Sequence, residues 1–217
     1  MDITYLGHSS FKIKTKTAIV VTDPFSGEMV GFRFPKTEAN IVTVSHSHPD
    51  HSAVAAVEGD PFVINAAGEY EVKGVSIFGY QTFHDLHSGA ERGKNVVYVI
   101  EAEGLRICHL GDLGAELSSK TLEELSEIDV LMVPVGGEFT LGPHEAAELV
   151  SQIEPRIVLP MHFQAEGLKK ETFASLQPVE NFLKEIGANN PERLEKLSLT
   201  KDKLPEETKV VLLERKV

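Results

Sequence analysis

What most limits the fold of this chain is an imbalance between strands and helices. Runs rich in β-branched and aromatic residues crowd its first half: Ile3–Leu6, Phe11–Lys14, Ala18–Thr22, Ile41–Ser45, Phe62–Asn65, Glu69–Val72, Val75–Thr82, Asn95–Ala102 and Leu105–Leu110. Turn-forming GHSS, AAGE and KG segments punctuate them, and the last two runs read as a hairpin turning at Glu103-Gly104. The second half alternates. The spacing of Leu122, Leu125 and Ile128 predicts a helix over Ser118–Ile128, followed by a buried strand, Asp129–Val135. A helix over Pro143–Ile153, with Pro143 in its first turn, leads to the strand Arg156–Pro160. Another helix starts near Pro178 and stops at Gly187. Strands Lys196–Thr200 and Lys209–Glu214 follow, and the polar stretch 188–207 otherwise reads as loop. Neither half has enough helix to cover both faces of its own sheet. Two sheets packed on each other, with helices outside, satisfy the layer rules better than a single parallel sheet, which makes the class α+β. With 217 residues, no repeat and no linker, a single domain over 1–217 is expected.

Charge narrows the partners. Twenty-one basic against 33 acidic residues give −12, which opposes a nucleic-acid partner and favours a small-molecule substrate. The opening MDITYLGHSSFKIK has an acid at position 2 and neither a basic nor a long apolar segment, so it does not read as a signal peptide. No run approaches the roughly 18 apolar residues of a membrane span. The lone cysteine, Cys108, permits no internal disulfide and suits a reducing cytoplasm; on a strand it reads as a small buried hydrophobe. The sequence leaves a homo-oligomer open. Nine histidines beside one cysteine and no tryptophan raise the expectation of imidazole chemistry.

The decisive segment is His46-Ser47-His48-Pro49-Asp50-His51, with four potential metal ligands in six residues. In extended chain His46 and His48 project to the same side, and Pro49 opposes a helix through residue 48. The segment therefore leaves the end of strand Ile41–Ser45 as a loop, held rigidly yet open to a ligand. Imidazole and carboxylate donors without thiolate suit zinc first, and also manganese, iron or nickel. The competing reading is a polar loop that happens to collect histidines. His84, Asp112 in HLGD and His162 in PMHF each lie just past a predicted strand. Taken singly, each is more simply a hydrogen-bonded structural residue. If those strand ends share one sheet edge, seven ligands meet, sufficient for two divalent metal ions sharing a carboxylate.

This pattern resembles the metallo-β-lactamase superfamily, whose HxHxDH signature is matched by His46 to His51. More narrowly, it is similar to the metal-dependent hydrolases related to the ascorbate-phosphate lactonases. The supporting segments are Leu6-Gly7-His8-Ser9-Ser10-Phe11, His84-Asp85 with Glu91-Arg92-Gly93-Lys94-Asn95, His109-Leu110-Gly111-Asp112 and Pro160-Met161-His162. The resemblance implies a four-layer αββα sandwich with a site on one edge. It implies that His46, His48 and His84 hold one metal, that Asp50, His51 and His162 hold the other, and that Asp112 bridges them. Phe83-His84-Asp85 departs from the Gly-His-Thr type of the glyoxalase and β-lactamase branches. His48 stands where the flavodiiron branch has Glu, and no basic insertion matches the RNA-processing branch.

The expected activity is hydrolysis of a small anionic ester, lactone or phosphoester by a metal-activated hydroxide. Asp50 is the expected catalytic group and His8 a second acid, although His8 equally fits a structural role. The alternatives are a phosphodiesterase or nuclease on the same scaffold and a non-catalytic metal-binding protein. His109 is a candidate hydrogen-bond partner of a ligand. Arg92 and Lys94 could greet an anion or simply form a charged turn; His87 and His144 have no supporting context.

Overall fold

Period-two alternation along the strands sorts the apolar residues onto two faces, and the layers follow from that sorting. The computed structural model describes residues 1–216. Its strands, in chain order, are β1 (Asp2–Gly7), β2 (Ser10–Lys14), β3 (Ile19–Thr22), β4 (Ile41–Thr43), β5 (Phe62–Ile64), β6 (Gly68–Val72), β7 (Val75–Phe83), β8 (Lys94–Ala102), β9 (Leu105–His109), β10 (Val130–Pro134), β11 (Ile157–Met161), β12 (Glu192–Leu194), β13 (Leu197–Ser198) and β14 (Lys209–Leu213). They form a six-stranded sheet ordered β13-β1-β2-β3-β4-β5 and an eight-stranded sheet ordered β12-β14-β11-β10-β9-β8-β7-β6. In β8, Val96, Tyr98 and Ile100 face the other sheet while Val97 and Val99 face outward. In β4, Ile41 joins the core between the sheets and Val42 the outer layer. Tyr98 sits at the centre, fully buried, and its hydroxyl donates across the sandwich to the Val44 and Ile64 carbonyls at 3.1 and 3.2 Å.

The helices are α1 (Gly27–Val30), α2 (Ser119–Glu124), α3 (Pro143–Ile153), α4 (Lys170–Phe173) and α5 (Val179–Glu185). The expected four-layer α+β sandwich is present, with unequal outer layers. Leu149, Val150 and Ile153 of α3 and Phe182 and Leu183 of α5 cover the eight-stranded sheet. The six-stranded sheet is covered by α1, α4 and irregular chain, through Phe25, Val30, Phe34, Leu168, Phe173 and Leu176.

Three expectations need correction. The helix over Ser118–Ile128 closes at Glu124, capped at its start by the Ser118 side chain, and Glu127 turns the chain at φ 57°. The stretch 188–207 holds β12, which pairs in parallel with β14. As an edge strand carrying Glu192 and Arg193, β12 needs no alternating apolar pattern. The strand at Lys196–Thr200 shrinks to β13, two residues paired with β1.

Strand direction places the chain ends that matter. β1 is antiparallel to β2, β2 to β3, and β3 is parallel to β4, so β1, β3 and β4 point the same way. In the other sheet β7, β9, β10 and β11 share a direction by the same counting. The two sets end at one edge, where the His162 amide donates to the His8 carbonyl and the Val96 amide to the Ser45 carbonyl, both at 2.9 Å. No helix among the described residues is long and apolar enough to cross a membrane.

Candidate metal centre

Beyond β4 the chain turns sharply through Pro49. The His51 amide donates to the His48 carbonyl at 2.9 Å, and the Ser52 hydroxyl donates to the same carbonyl at 2.9 Å. This turn sets His46 and His48 side by side, with ring centroids 4.6 Å apart, and His84 from the end of β7 lies 4.7 and 5.1 Å from them. One potential ligand atom from each of the three falls within 4.8 Å of the others. A second group meets the same criterion: His8 from the end of β1, Asp50, His51, and His162 from the end of β11. Between the two groups stands Asp112, carried past the end of β9. Its Oδ2 is 3.1 Å from His51 Nε2, 3.3 Å from His162 Nε2, 3.4 Å from His84 Nε2 and 3.9 Å from His46 Nε2. The structure thus brings together His46, His48, Asp50, His51, His84, Asp112 and His162, and adds His8 to them.

The surroundings fix which nitrogen of each ring is free. Asp23, at the end of β3 and fully buried, accepts from the Ser45 amide at 2.8 Å, from the Ser45 hydroxyl at 2.5 Å and from His51 Nδ1 at 2.9 Å. With its proton committed to Asp23, the Ser45 hydroxyl accepts from His46 Nδ1 at 2.9 Å. Both imidazoles therefore carry a proton on Nδ1 and turn Nε2 inward. His46 Nε2, His51 Nε2 and Asp112 Oδ1 are buried with no hydrogen-bond partner, as are Nδ1 of His8, His84 and His162. An orphaned buried polar atom costs about 1–3 kcal/mol, so such a cluster is costly unless something takes the lone pairs. Neutral imidazoles held by outer hydrogen bonds, beside carboxylates, are the donor set a divalent cation accepts.

The charge states differ from ring to ring. Burial, with the neighbouring His162 charge, pushes His8 down to about 4. Burial, with the charge of His51, takes His46 to about 3. Burial also disfavours the charged form of His51, but the carboxylates of Asp112 and Asp50 outweigh it and raise its pKa well above the ordinary value. Asp112 is held well below the carboxylate range, because His162 and His51 overcome its burial. The same negative field that holds a proton on His51 attracts a metal ion.

Sequence reasoning missed Asp23, although it lies just past a strand as the other ligands do. It named Asn95 only as the end of a supporting segment and gave it no role; fully buried, Asn95 donates to Thr82 Oγ1 at 2.8 Å and the Leu110 carbonyl at 2.9 Å and accepts from the Asp112 amide at 3.0 Å. Asn95 thereby fixes the turn that presents Asp112. Gly111 in that turn adopts φ 57°, and a Cβ there would collide with Asn95 Oδ1 and Ser45. His109 is not a partner of any ligand side chain. Its Nε2 donates to the Ser9 carbonyl at 2.8 Å and its Nδ1 accepts from the Gly111 amide at 3.2 Å. His87 and His144 are exposed, paired with Glu91 and with Glu148 and Glu185.

Asp85 organises the loop after β7. Its carboxylate accepts from the amides of Arg92 (2.7 Å), His87 (2.8 Å), Glu91 (3.1 Å) and Gly89 (2.9 Å), and those donors, Arg92 first, hold its pKa down to about 2. A cleft of about 290 Å³ opens over the cluster. Its polar floor includes His48, Asp50, His84, Asp112 and His162; Met29, Phe139, Phe173, Thr172 and Arg92 form its walls.

A family model described as a β-lactamase superfamily domain matches residues 2–162. The chain belongs to the metallo-β-lactamase superfamily. A UPF0173 metal-dependent hydrolase of Methanopyrus kandleri is 32% identical over 193 residues, spanning 75% of this chain and 84% of its own. A crystal structure from Thermotoga maritima, of a proposed zinc-dependent hydrolase of the superfamily, is 40% identical with a TM-score of 0.81, covering 99% of each chain. An isothiocyanate hydrolase from Delia radicum gut bacteria is 12% identical with a TM-score of 0.65 over 92% of this chain and 99% of its own, a likeness of fold alone. As a superfamily member with these relatives, the chain is a metal-dependent hydrolase, and its histidine–aspartate cluster lies at the superfamily's HxHxDH signature.

Proposed function

We propose that this hydrolase cleaves a small ester, lactone or phosphoester at a two-metal centre. His46, His48 and His84 would hold one divalent cation, Asp50, His51 and His162 the other, and Asp112 would lie between them; zinc suits these donors best, with manganese, iron or nickel as alternatives. When bound, such cations lower the pKa of water from 15.7 to about 7 and polarise the carbonyl or phosphoryl oxygen under attack. Asp50 faces the cleft and accepts the proton of the attacking water or passes it to the leaving group. His8 Nε2, 3.1 Å from Asp50 Oδ2, donates to that carboxylate and sets its orientation, which makes its role positioning rather than acid catalysis. Met29, Phe139 and Phe173 keep bulk water from the reacting centre and pack the apolar part of the substrate. The cleft volume, at the lower limit of the roughly 300–1,000 Å³ typical of ligand pockets, favours a small molecule over a polymer.

The convergence of four imidazole nitrogens on one Asp112 oxygen is the observation that carries this reading. Its test is metal content measured beside turnover on a panel of lactones, esters and phosphodiesters. Asp112→Ala should lose bound metal and activity together. Retention of two metals and full turnover by that variant would end the two-metal reading.

A further inference from the structure

A second concavity, of about 740 Å³, lies beside the metal cleft. One wall is a stripe of α3, where Glu145, Glu148, Leu149 and Gln152 share a face at helical spacing. The opposite wall is the chain from Gly114 to Leu122, leading into α2. Leu117, Leu122, Leu141 and Leu149 give the groove an apolar floor. At its end stands Leu86, in the loop after β7, which is 79% exposed. A leucine so open beside an apolar groove is hydrophobic surface without cover.

The rim carries charge of one sign. Glu116, Glu138, Glu145 and Glu148 are exposed and line the groove, and no lysine or arginine does. Among the described residues none of the four pairs with a lysine or arginine; Glu148 meets only His144 Nε2, at 3.5 Å. Two copies of the chain joined across this face would set these carboxylates against one another, because a two-fold contact apposes the same patch. The complement is a cationic partner with apolar side chains. Along α3 the wall from Glu145 to Gln152 is about 10 Å long at 1.5 Å per residue, which matches two turns of a helix packed beside it.

We propose that this groove docks an amphipathic helix of another protein, with leucine-type side chains on the floor and lysines or arginines over the four glutamates. Its occupant would border the catalytic cleft, because Glu138 and Phe139 are neighbours in one loop and line the groove and the cleft respectively. Docking here requires neither a particular metal nor a particular substrate, so it goes beyond the hydrolytic reading and can fail without it.

The test uses the metal-loaded full chain and three labelled helical peptides of about four turns, read by fluorescence anisotropy. The first places leucines at i, i+3, i+4 and i+7 among lysines. The second has the same residues shuffled so that no apolar face forms, and the third has glutamate for every lysine. The first should bind at least about 10-fold tighter than either control. Leu86→Ser should weaken it about 5- to 10-fold, the order expected for covering an exposed leucine. Glu145→Gln with Glu148→Gln should weaken it about 3- to 10-fold, and by less as salt is raised. Glu69→Gln with Glu71→Gln removes the same charge from exposed positions on β6, at the edge of the eight-stranded sheet, and should leave binding unchanged. No binding of the first peptide at about 100 μM, well above the Kd of a specific contact, would overturn the assignment. So would equal binding of the shuffled peptide, or equal losses from the two glutamate pairs, since the overall acidity would then account for the attraction. A dimer in sedimentation that Leu86→Ser abolishes would also overturn it and give the face to a second copy.

Discussion

Asp23 is buried, touches no cleft, and should nevertheless control metal affinity. Consider Asp23→Asn, which preserves shape and removes charge. Asp23 Oδ1 accepts from the Ser45 amide, and Oδ2 accepts from the Ser45 hydroxyl and from His51 Nδ1. An amide must place its N–H2 against one of these sets of donors. In one orientation it confronts the Ser45 amide and displaces the end of β4, next to His46. In the other it confronts His51 Nδ1–H, and the proton moves to Nε2, the atom aimed at Asp112 and Asp50. Either outcome spoils a nitrogen the metal needs. Loss of a group that orients a metal-binding histidine typically costs 10- to 100-fold in affinity, or about 1.4–2.8 kcal/mol. Asp23→Ala is less informative. It orphans three donors at about 1–3 kcal/mol each, which approaches the roughly 5–15 kcal/mol that holds a whole domain together. The assay is competition for zinc against a chromophoric chelator at fixed pH, with thermal unfolding of both metal-free proteins as the control on folding. Zinc affinity within twofold of the unaltered protein, in a folded Asp23→Asn variant, would refute the argument that Asp23 and Ser45 fix the inward-facing lone pairs.

Two more outcomes are expected. Chelation should abolish turnover and lower the melting temperature by about 5–10 °C, taking a metal at 100 times its Kd as worth about 2.7 kcal/mol and 2–4 °C per kcal/mol for a chain this size; an unchanged melting temperature after verified metal removal would contradict a buried cluster in need of cations. Cys108 lies on β9 in the outer apolar layer with no exposure, and burial pushes its thiol pKa up, so a disulfide exchange reagent should find no thiol in the native protein and one equivalent after unfolding.

Much of the centre is legible in the sequence because its residues obey one positional rule. His46, His84, Asp112 and His162 each follow a strand, and strands of like direction end together. Asp23 obeys the rule too, in Val21-Thr22-Asp23-Pro24, but an aspartate before a proline also reads as an ordinary turn former. Asn95 closes the supporting segment Glu91–Asn95, but nothing in that segment assigns it a role. Its role exists only once β7 and β9 flank β8 and bring Thr82 and Leu110 to its amide. Arg92 and Lys94 look alike in the sequence, and only the loop folded about Asp85 turns the first toward the cleft. The short helices α1 and α4 are single turns, too brief for any periodicity to mark. β12 escapes because an edge strand is specified by its pairing rather than by its own pattern.

The cluster also explains why so acidic a chain gathers its histidines in one place. Asp50 and Asp112 remain ionised because nearby imidazoles, His51 above all for Asp50 and His162 for Asp112, overcome the burial that would neutralise them. Asp23 is held low in the same way, by His109 and by its hydrogen bond with His51. Burial meanwhile keeps His8 and His46 uncharged. Three buried carboxylates thus stand among imidazoles of which burial keeps His8 and His46 uncharged, and uncompensated charge in a dry interior costs several kcal/mol per ion. Filling the space with apolar side chains would relieve that cost, as it does elsewhere between these sheets. The chain instead keeps the carboxylates and surrounds them with imidazole nitrogens. That arrangement is unfavourable for an empty core and favourable for a bound cation, so the requirements of folding and of catalysis meet in the same group of side chains.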